Sequence, residues 1–313
     1  MRSCVALLVI LICLPASAQQ APATSDQRSE KGSAPSTSLP DLTPDKDGKL
    51  SPQQMQQLAR VVVEKHFANR RLQRNYTYID REVQNNLDGS GNIKSTEIKT
   101  YEILEIYGEQ VLRLIEKDDK PLSAKEAAKE EERIQKIIDE RKNESEDDRR
   151  RREEKERKRS EEGQEFLRDA ADAYNFTFVD SEMIDGRDAW VIDCEPRPGF
   201  EPRLKDAKVL SKLRGRVWID KADLQLAKLN LEVIDTASFG WIIARFHKGT
   251  RILVEQTRVN DEVWLPRHTE FKLDLRVALF KGYNFTGEDT FRDYKKFSAS
   301  SKIVGIGEVQ ADK

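Results

Sequence analysis

Cysteine, histidine and long apolar runs are all scarce in this 313-residue chain, and each shortage narrows what it can be. The cysteines are Cys4, Cys13 and Cys194, too few for a disulfide framework or a cysteine-based zinc site. The three histidines, His66, His247 and His268, are far apart in sequence. No His-Glu-x-x-His, Gly-x-Ser-x-Gly or phosphate-binding glycine loop accompanies them. A protein without cofactor, metal or catalytic group, and so not an enzyme, is expected. An excess of one charge is missing too: 54 Lys and Arg face 56 Asp and Glu, a balance of −2. A nucleic-acid binder would show a basic excess, so no nucleic-acid partner is expected.

What is present begins with an address. Arg2 precedes an apolar run from Val5 to Leu14, and Ala16-Ser17-Ala18 forms an A-x-A cleavage signal. Residues 1–18 therefore read as a signal peptide cut after Ala18, which predicts a periplasmic or secreted protein. Beyond it no run is long and apolar enough for a helical membrane span. Residues 19–50, rich in Gln, Ala, Pro, Ser and Thr, read as a flexible tether. Residues 51–313 read as one domain.

Ser51-Pro52-Gln53-Gln54 is a capping box with proline at the first helical position. Met55, Leu58, Ala59, Val62 and His66 follow at helical spacing, which predicts an amphipathic helix over 52–72. The period then changes. Alternation over 74–87, 93–107 and 111–115, with turns at Asp88-Gly89-Ser90-Gly91 and Gly108, predicts an antiparallel meander. Asn86 to Glu97 places oxygen donors at the spacing of a calcium loop, but strands flank it, so a plain hairpin turn is the expectation.

Residues 117–165 interrupt the meander. From Lys125 to Glu162, 29 of 38 residues are charged, 14 basic and 15 acidic. Ser123-Ala124-Lys125-Glu126 is a second capping box, and a solvated helix or helical hairpin is expected. A short helix over 166–173 leads back to strands at 176–184, 188–195, 213–221, 224–234, 239–248, 251–259, 263–275, 277–285 and 291–297. The expected class is mainly β with helical additions: a large curved antiparallel sheet, or unclosed β-barrel, of about eleven strands. The helix 52–72 would cover its apolar face. Trp190, Trp218 and Trp241 fall on separate strands, with Phe246 and Phe271 beside them. These five are read as the inward, ligand-binding side of an apolar cavity.

The order of these features resembles the outer-membrane lipoprotein-sorting superfamily of LolA/LolB-like carriers and their RseB-like relatives. The resemblance rests on Tyr76-Thr77-Tyr78, Gly215-Arg216-Val217-Trp218-Ile219-Asp220-Lys221, Asp261-Glu262-Val263-Trp264-Leu265-Pro266 and Asp293-Tyr294-Lys295-Lys296-Phe297. It implies a helix-lidded unclosed barrel whose cavity carries lipid or lipoprotein acyl chains in the periplasm. The alternative is a non-catalytic envelope sensor or interaction module whose charged arm, 120–162, meets a protein partner.

Overall fold

The computed structural model describes residues 41–239, 244–277, 281–297, 301–305 and 308–311. The signal peptide, most of the tether and Trp241 lie outside the described residues. Among the described residues no helix is long and apolar enough to cross a membrane.

Three α-helices occur among them: α1 (Pro52–Gln73), α2 (Ala124–Lys142) and α3 (Glu146–Ala173), with a 3-10 helix at Lys205–Lys212. Both predicted capping boxes form, Ser51 with Gln54 and Ser123 with Glu126. Ser145 caps α3, and Glu146, Asp147 and Asp148 place negative charge at its positive end. The third helix is longer than the sequence suggested. The second half of the charged run, from Glu146, and the short helix at 166–173 are one rod, because Gly163 is the lone weak helix former between them.

The strands are β1 (Tyr76–Leu87), β2 (Ile93–Ile106), β3 (Glu109–Lys117), β4 (Lys120–Pro121), β5 (Tyr174–Ile184), β6 (Arg187–Pro196), β7 (Leu213–Asp220) and β8 (Leu226–Val233). They continue with β9 (Ala237–Phe239), β10 (Ala244–Phe246), β11 (Arg251–Val259), β12 (Val263–Val277), β13 (Lys281–Lys296), β14 (Ser301–Gly305) and β15 (Glu308–Ala311). Eleven of them form one antiparallel path, β4-β3-β2-β1-β13-β12-β11-β8-β7-β6-β5, with β9 and β10 attached beside β12. The end strands β4 and β5 do not pair, so the sheet is unclosed. The hairpin β14–β15 stands apart from it.

Two segments differ from the sequence reading. The stretch read as two strands, 277–285 and 291–297, is the single strand β13. Gly287-Glu288-Asp289 looks like a turn, but it is paired on both sides: Gly287 opposite Phe271 and Gln84, Asp289 opposite Thr269 and Glu82. The last ten residues of the expected tether are held rather than free. Leu50 is buried, Leu42 packs beside it, and the Gln54 side-chain amide donates to the carbonyls of Asp41 (3.1 Å) and Thr43 (2.9 Å).

The charged insertion covers the sheet edge. Ile134 is buried between helix α2 and Leu104, Ile106 and Val111 of β2 and β3. The Glu130 carboxylate accepts from the Leu114 amide (2.7 Å), and Arg133 donates to the Leu112 carbonyl. Edge groups that β4 is too short to pair are thus satisfied by side chains, which blocks pairing with another chain. Arg152 of α3 and Arg141 of α2 both reach Glu109 of β3 (3.1 and 3.0 Å).

Helix α1 crosses the inner face of the sheet and is fastened at its far end by an amide. Asn69, 4% exposed, donates to the Trp264 carbonyl and accepts from the Trp264 amide, both at 2.8 Å, as a neighbouring strand would. Replacing Asn69 with leucine leaves the Trp264 amide without its acceptor, while the Trp264 carbonyl keeps a second donor in the Gln73 side-chain amide (2.7 Å). We expect a loss of about 2 kcal/mol in urea unfolding; a change below about 0.5 kcal/mol would show that the clamp is not needed.

Candidate functional site

The site is a cavity between the inner face of the sheet and the two helices above it. Its volume is ≈ 220 Å³. Alternation builds the floor: Leu213, Gly215, Val217 and Ile219 of β7 point to one side, beside Leu229 and Leu231 of β8 and Ile192 and Cys194 of β6. Helix α1 supplies Met55, Leu58, Ala59, Val62, Val63 and His66 at the spacing of one helical face. Helix α3 supplies Phe166, Leu167, Ala170 and Ala171, and the 3-10 helix closes one side with Val209 and Leu210.

Polar links hold the two helices together on the outside. Gln56 donates to the Ala171 carbonyl (2.6 Å), Arg60 pairs with Asp172 (2.9 Å), and Arg168 reaches Glu64 (3.3 Å). Asp169, 1% exposed, accepts from the backbone amides of Arg203 (2.9 Å) and Leu204 (3.1 Å) and from the Arg203 guanidinium (3.0 Å). This ties the loop before the 3-10 helix to the roof.

Inside, polar atoms are few. The Tyr174 hydroxyl donates to the Leu210 carbonyl (3.2 Å), and burial pushes its pKa up. Burial, helped by the charges of Asp193 and Glu195, pushes the Cys194 thiol up to about 12, so it stays protonated and unreactive. His66 differs from both. Its Nε2 is buried with no hydrogen-bond partner, and burial together with the Arg70 charge lowers its pKa to about 4. The imidazole is neutral at pH 7.

The aromatic residues singled out from the sequence lie around this cavity rather than in its lining. Trp190 is on the same side of β6 as Ile192, buried among Leu50, Met55, Leu58 and Ile219. Phe246 and Phe271 belong to a cluster that shares Val209, Leu213 and Leu229 with the cavity wall and runs on to Leu273 and Phe285. Trp218, expected to face inward, faces the other way. Val217 and Ile219 take the inner side of β7, so the residue between them must turn outward. There it packs on Ala189 and Val191, donates its Nε1–H to Glu182 (2.8 Å), and lies under the Lys228 ammonium (5.2 Å). Trp241 lies outside the described residues.

The lining that sequence reading missed is mostly aliphatic, in alternate residues of β7 and β8 and the 167–171 face of α3, with Phe166, Tyr174 and Phe176 as its aromatic members. The calcium-like loop is an ordinary turn, since Asp88 accepts from its own backbone amides at Ser90 (2.8 Å) and Asn92 (2.9 Å). Among the described residues no cluster of His, Cys, Asp and Glu could hold a metal ion.

No protein-family model matches the chain, and no characterised protein matches it in sequence. Solved structures similar to it include a domain described as an outer-membrane lipoprotein-sorting protein from Vibrio parahaemolyticus. That likeness has 11% identity, 77% of this chain and 94% of that one covered, and a TM-score of 0.31. A LolA superfamily protein from Nitrosomonas europaea gives 9% identity, 77% and 94% coverage, and a TM-score of 0.29. The MucA/MucB complex from Pseudomonas aeruginosa gives 9% identity, 78% and 99% coverage, and a TM-score of 0.20. At these TM-scores the likenesses carry no functional weight.

Proposed function

We propose that the protein binds the acyl chain of a lipid or lipoprotein in the cavity under α1 and α3, and that it does so after export, as a carrier in the cell envelope. The observation that supports this reading is the cavity itself: ≈ 220 Å³ of space walled almost wholly by apolar side chains. That is below the ≈ 300–1,000 Å³ of typical small-molecule pockets, and suits a slender chain better than a ring system. An apolar void of this kind costs packing energy when empty. Each methylene placed in it contributes about 0.8 kcal/mol, so a chain is retained by area alone, without a polar motif in the sequence. The signal-peptide reading of residues 1–18 supports the compartment. The exposed face of α3, with Arg150 and Arg151 largely solvated, supports a second reading in which the arm meets a protein partner.

Filling the cavity tests the first reading. Ala170→Phe projects a ring from the roof into the space. We expect uptake of a fluorescent acyl ester to fall about tenfold or more, with the thermal unfolding transition kept. Uptake equal to that of the unsubstituted protein would mean that the chain binds elsewhere or not at all.

A further inference from the structure

We propose that His66 is the polar recognition point of this cavity, donating a hydrogen bond from Nε2 to the neutral carbonyl of an ester- or amide-linked acyl chain. The ligand class is then an acylated molecule rather than a free fatty-acid anion. The inference rests on the acyl-binding reading above and deepens it.

Three observations carry it. First, His66 Nε2 is enclosed and has no partner within the protein. Buried polar atoms are almost always paired, because an unpaired one has lost its water without replacing it. Second, the atom belongs to a cavity-lining residue, and the other side-chain polar atoms of that lining are engaged. Tyr174 donates to Leu210, and Cys194 Sγ lies 3.9 Å from the Ile192 carbonyl. A ligand group is therefore the available partner. Third, α1 places Val62, Ala59, Leu58 and Met55 on the same face, one to three turns before His66. A chain lying along that face has its apolar body over the aliphatic residues and one end at the imidazole.

The charge of the site selects the head group. Burial and the nearby Arg70 charge keep the imidazole neutral, so it offers one N–H and no positive charge. A neutral carbonyl needs no more than that. A carboxylate brought to the same place would lose its hydration and gain no charge from the imidazole, leaving only the Arg70 charge to offset that loss. The tautomer bearing its proton on Nε2 is the competent donor.

The test uses imidazole nitrogen NMR on the whole protein, where three histidines give a readable spectrum. The probes are methyl decanoate, sodium decanoate and n-undecane. Methyl decanoate should shift the His66 resonances and leave those of His247 and His268 in place. His66→Phe should weaken methyl decanoate about fivefold more than it weakens n-undecane, the worth of one neutral hydrogen bond. Methyl decanoate bound without a His66 shift would overturn the inference and leave the cavity reading standing. So would decanoate binding as tightly as the ester with His66 turned cationic. If none of the three probes binds, the cavity reading fails and takes the inference with it.

Discussion

Gly287→Ala is expected to lower stability by about 3 kcal/mol, the upper end of what overpacking a core costs. The position is in the middle of β13, where glycine is ordinarily a weakness. A Cβ built there lies 2.1, 2.3 and 3.0 Å from three carbons of the Phe271 ring, which covers the bare backbone from the neighbouring strand. The ring cannot swing away freely. Phe271 is 7% exposed and meets Phe285 edge-on at 5.9 Å in the cluster that continues the cavity wall. Adding a methyl group therefore means moving a buried aromatic or bending a strand paired on both sides. A double substitution separates steric conflict from a general dislike of side chains at this site. Phe271→Leu alone should destabilise by making a gap. Combined with Gly287→Ala, the total should fall at least about 1 kcal/mol short of the sum. Urea unfolding of the four proteins checks this, and a Gly287→Ala change below about 0.5 kcal/mol would refute the argument.

The second large effect is a stabilisation. Asp289→Asn should make the protein more stable at pH 9 by about 2 kcal/mol and have little effect near pH 4. Asp80 on β1 is 7% exposed, and its Oδ1 has no hydrogen-bond partner. Asp289 on β13 is paired with Glu82 of β1 and adjoins Glu288. Burial, and the neighbouring charges of Glu82 and Glu288, hold the Asp289 carboxyl at about 8. Burial, then the charges of Asp289 and Glu82, hold Asp80 well above the ordinary carboxylate range. The unfolded chain releases these protons near pH 4, whereas the folded chain keeps them to much higher pH. Between those limits the folded state binds more protons. The stability these two groups contribute is therefore fully present below about pH 4 and is lost as pH rises through the folded values. Asparagine removes one such proton from the balance. The figure of about 2 kcal/mol is well under the full shift, because a half-buried strand side chain relaxes toward water. Thermal unfolding at pH 5, 7 and 9 checks it. A stability difference between the unsubstituted protein and the Asp289→Asn variant that does not grow with pH would refute it.

His66 acts in the opposite direction. Its folded value near 4 is below the ordinary histidine range, so its contribution is present above about pH 6.5 and is lost as pH falls toward 4. Acid and alkali therefore strain different parts of the molecule, the apolar end under α1 and the carboxylates where β1 meets β13.

The elements with strong local signals were legible in the sequence. The capping boxes at Ser51 and Ser123 form as read, and the meander of β1 to β3 follows its alternation and turns. So does the unclosed antiparallel sheet of about eleven strands. Where the reading failed, local chemistry pointed one way and long-range contacts the other. Gly287-Glu288-Asp289 carries turn residues, yet two neighbouring strands hold it extended. Asn69 serves as a strand partner for Trp264, a long-range contact that no local pattern announces. The orientation of Trp218 was open to a stricter reading. Val217 and Ile219 are the apolar pair on alternate positions of β7, and period two leaves Trp218 the other face. The cavity was the least legible part, because aliphatic residues that line a void and those that fill a core have the same pattern. His66 stood out as a polar residue on an apolar helix stripe, but that its Nε2 lacks a partner is visible only in three dimensions.

The central claim is that the space under α1 and α3 holds an acyl chain. Native mass spectrometry of the exported protein, purified without detergent, tests it most directly. The account predicts adduct masses that an organic extract resolves into acylated lipid or peptide, and that Ala170→Phe diminishes. A clean unliganded mass, with no uptake of an added acyl ester, would contradict it and leave the charged arm as the functional surface.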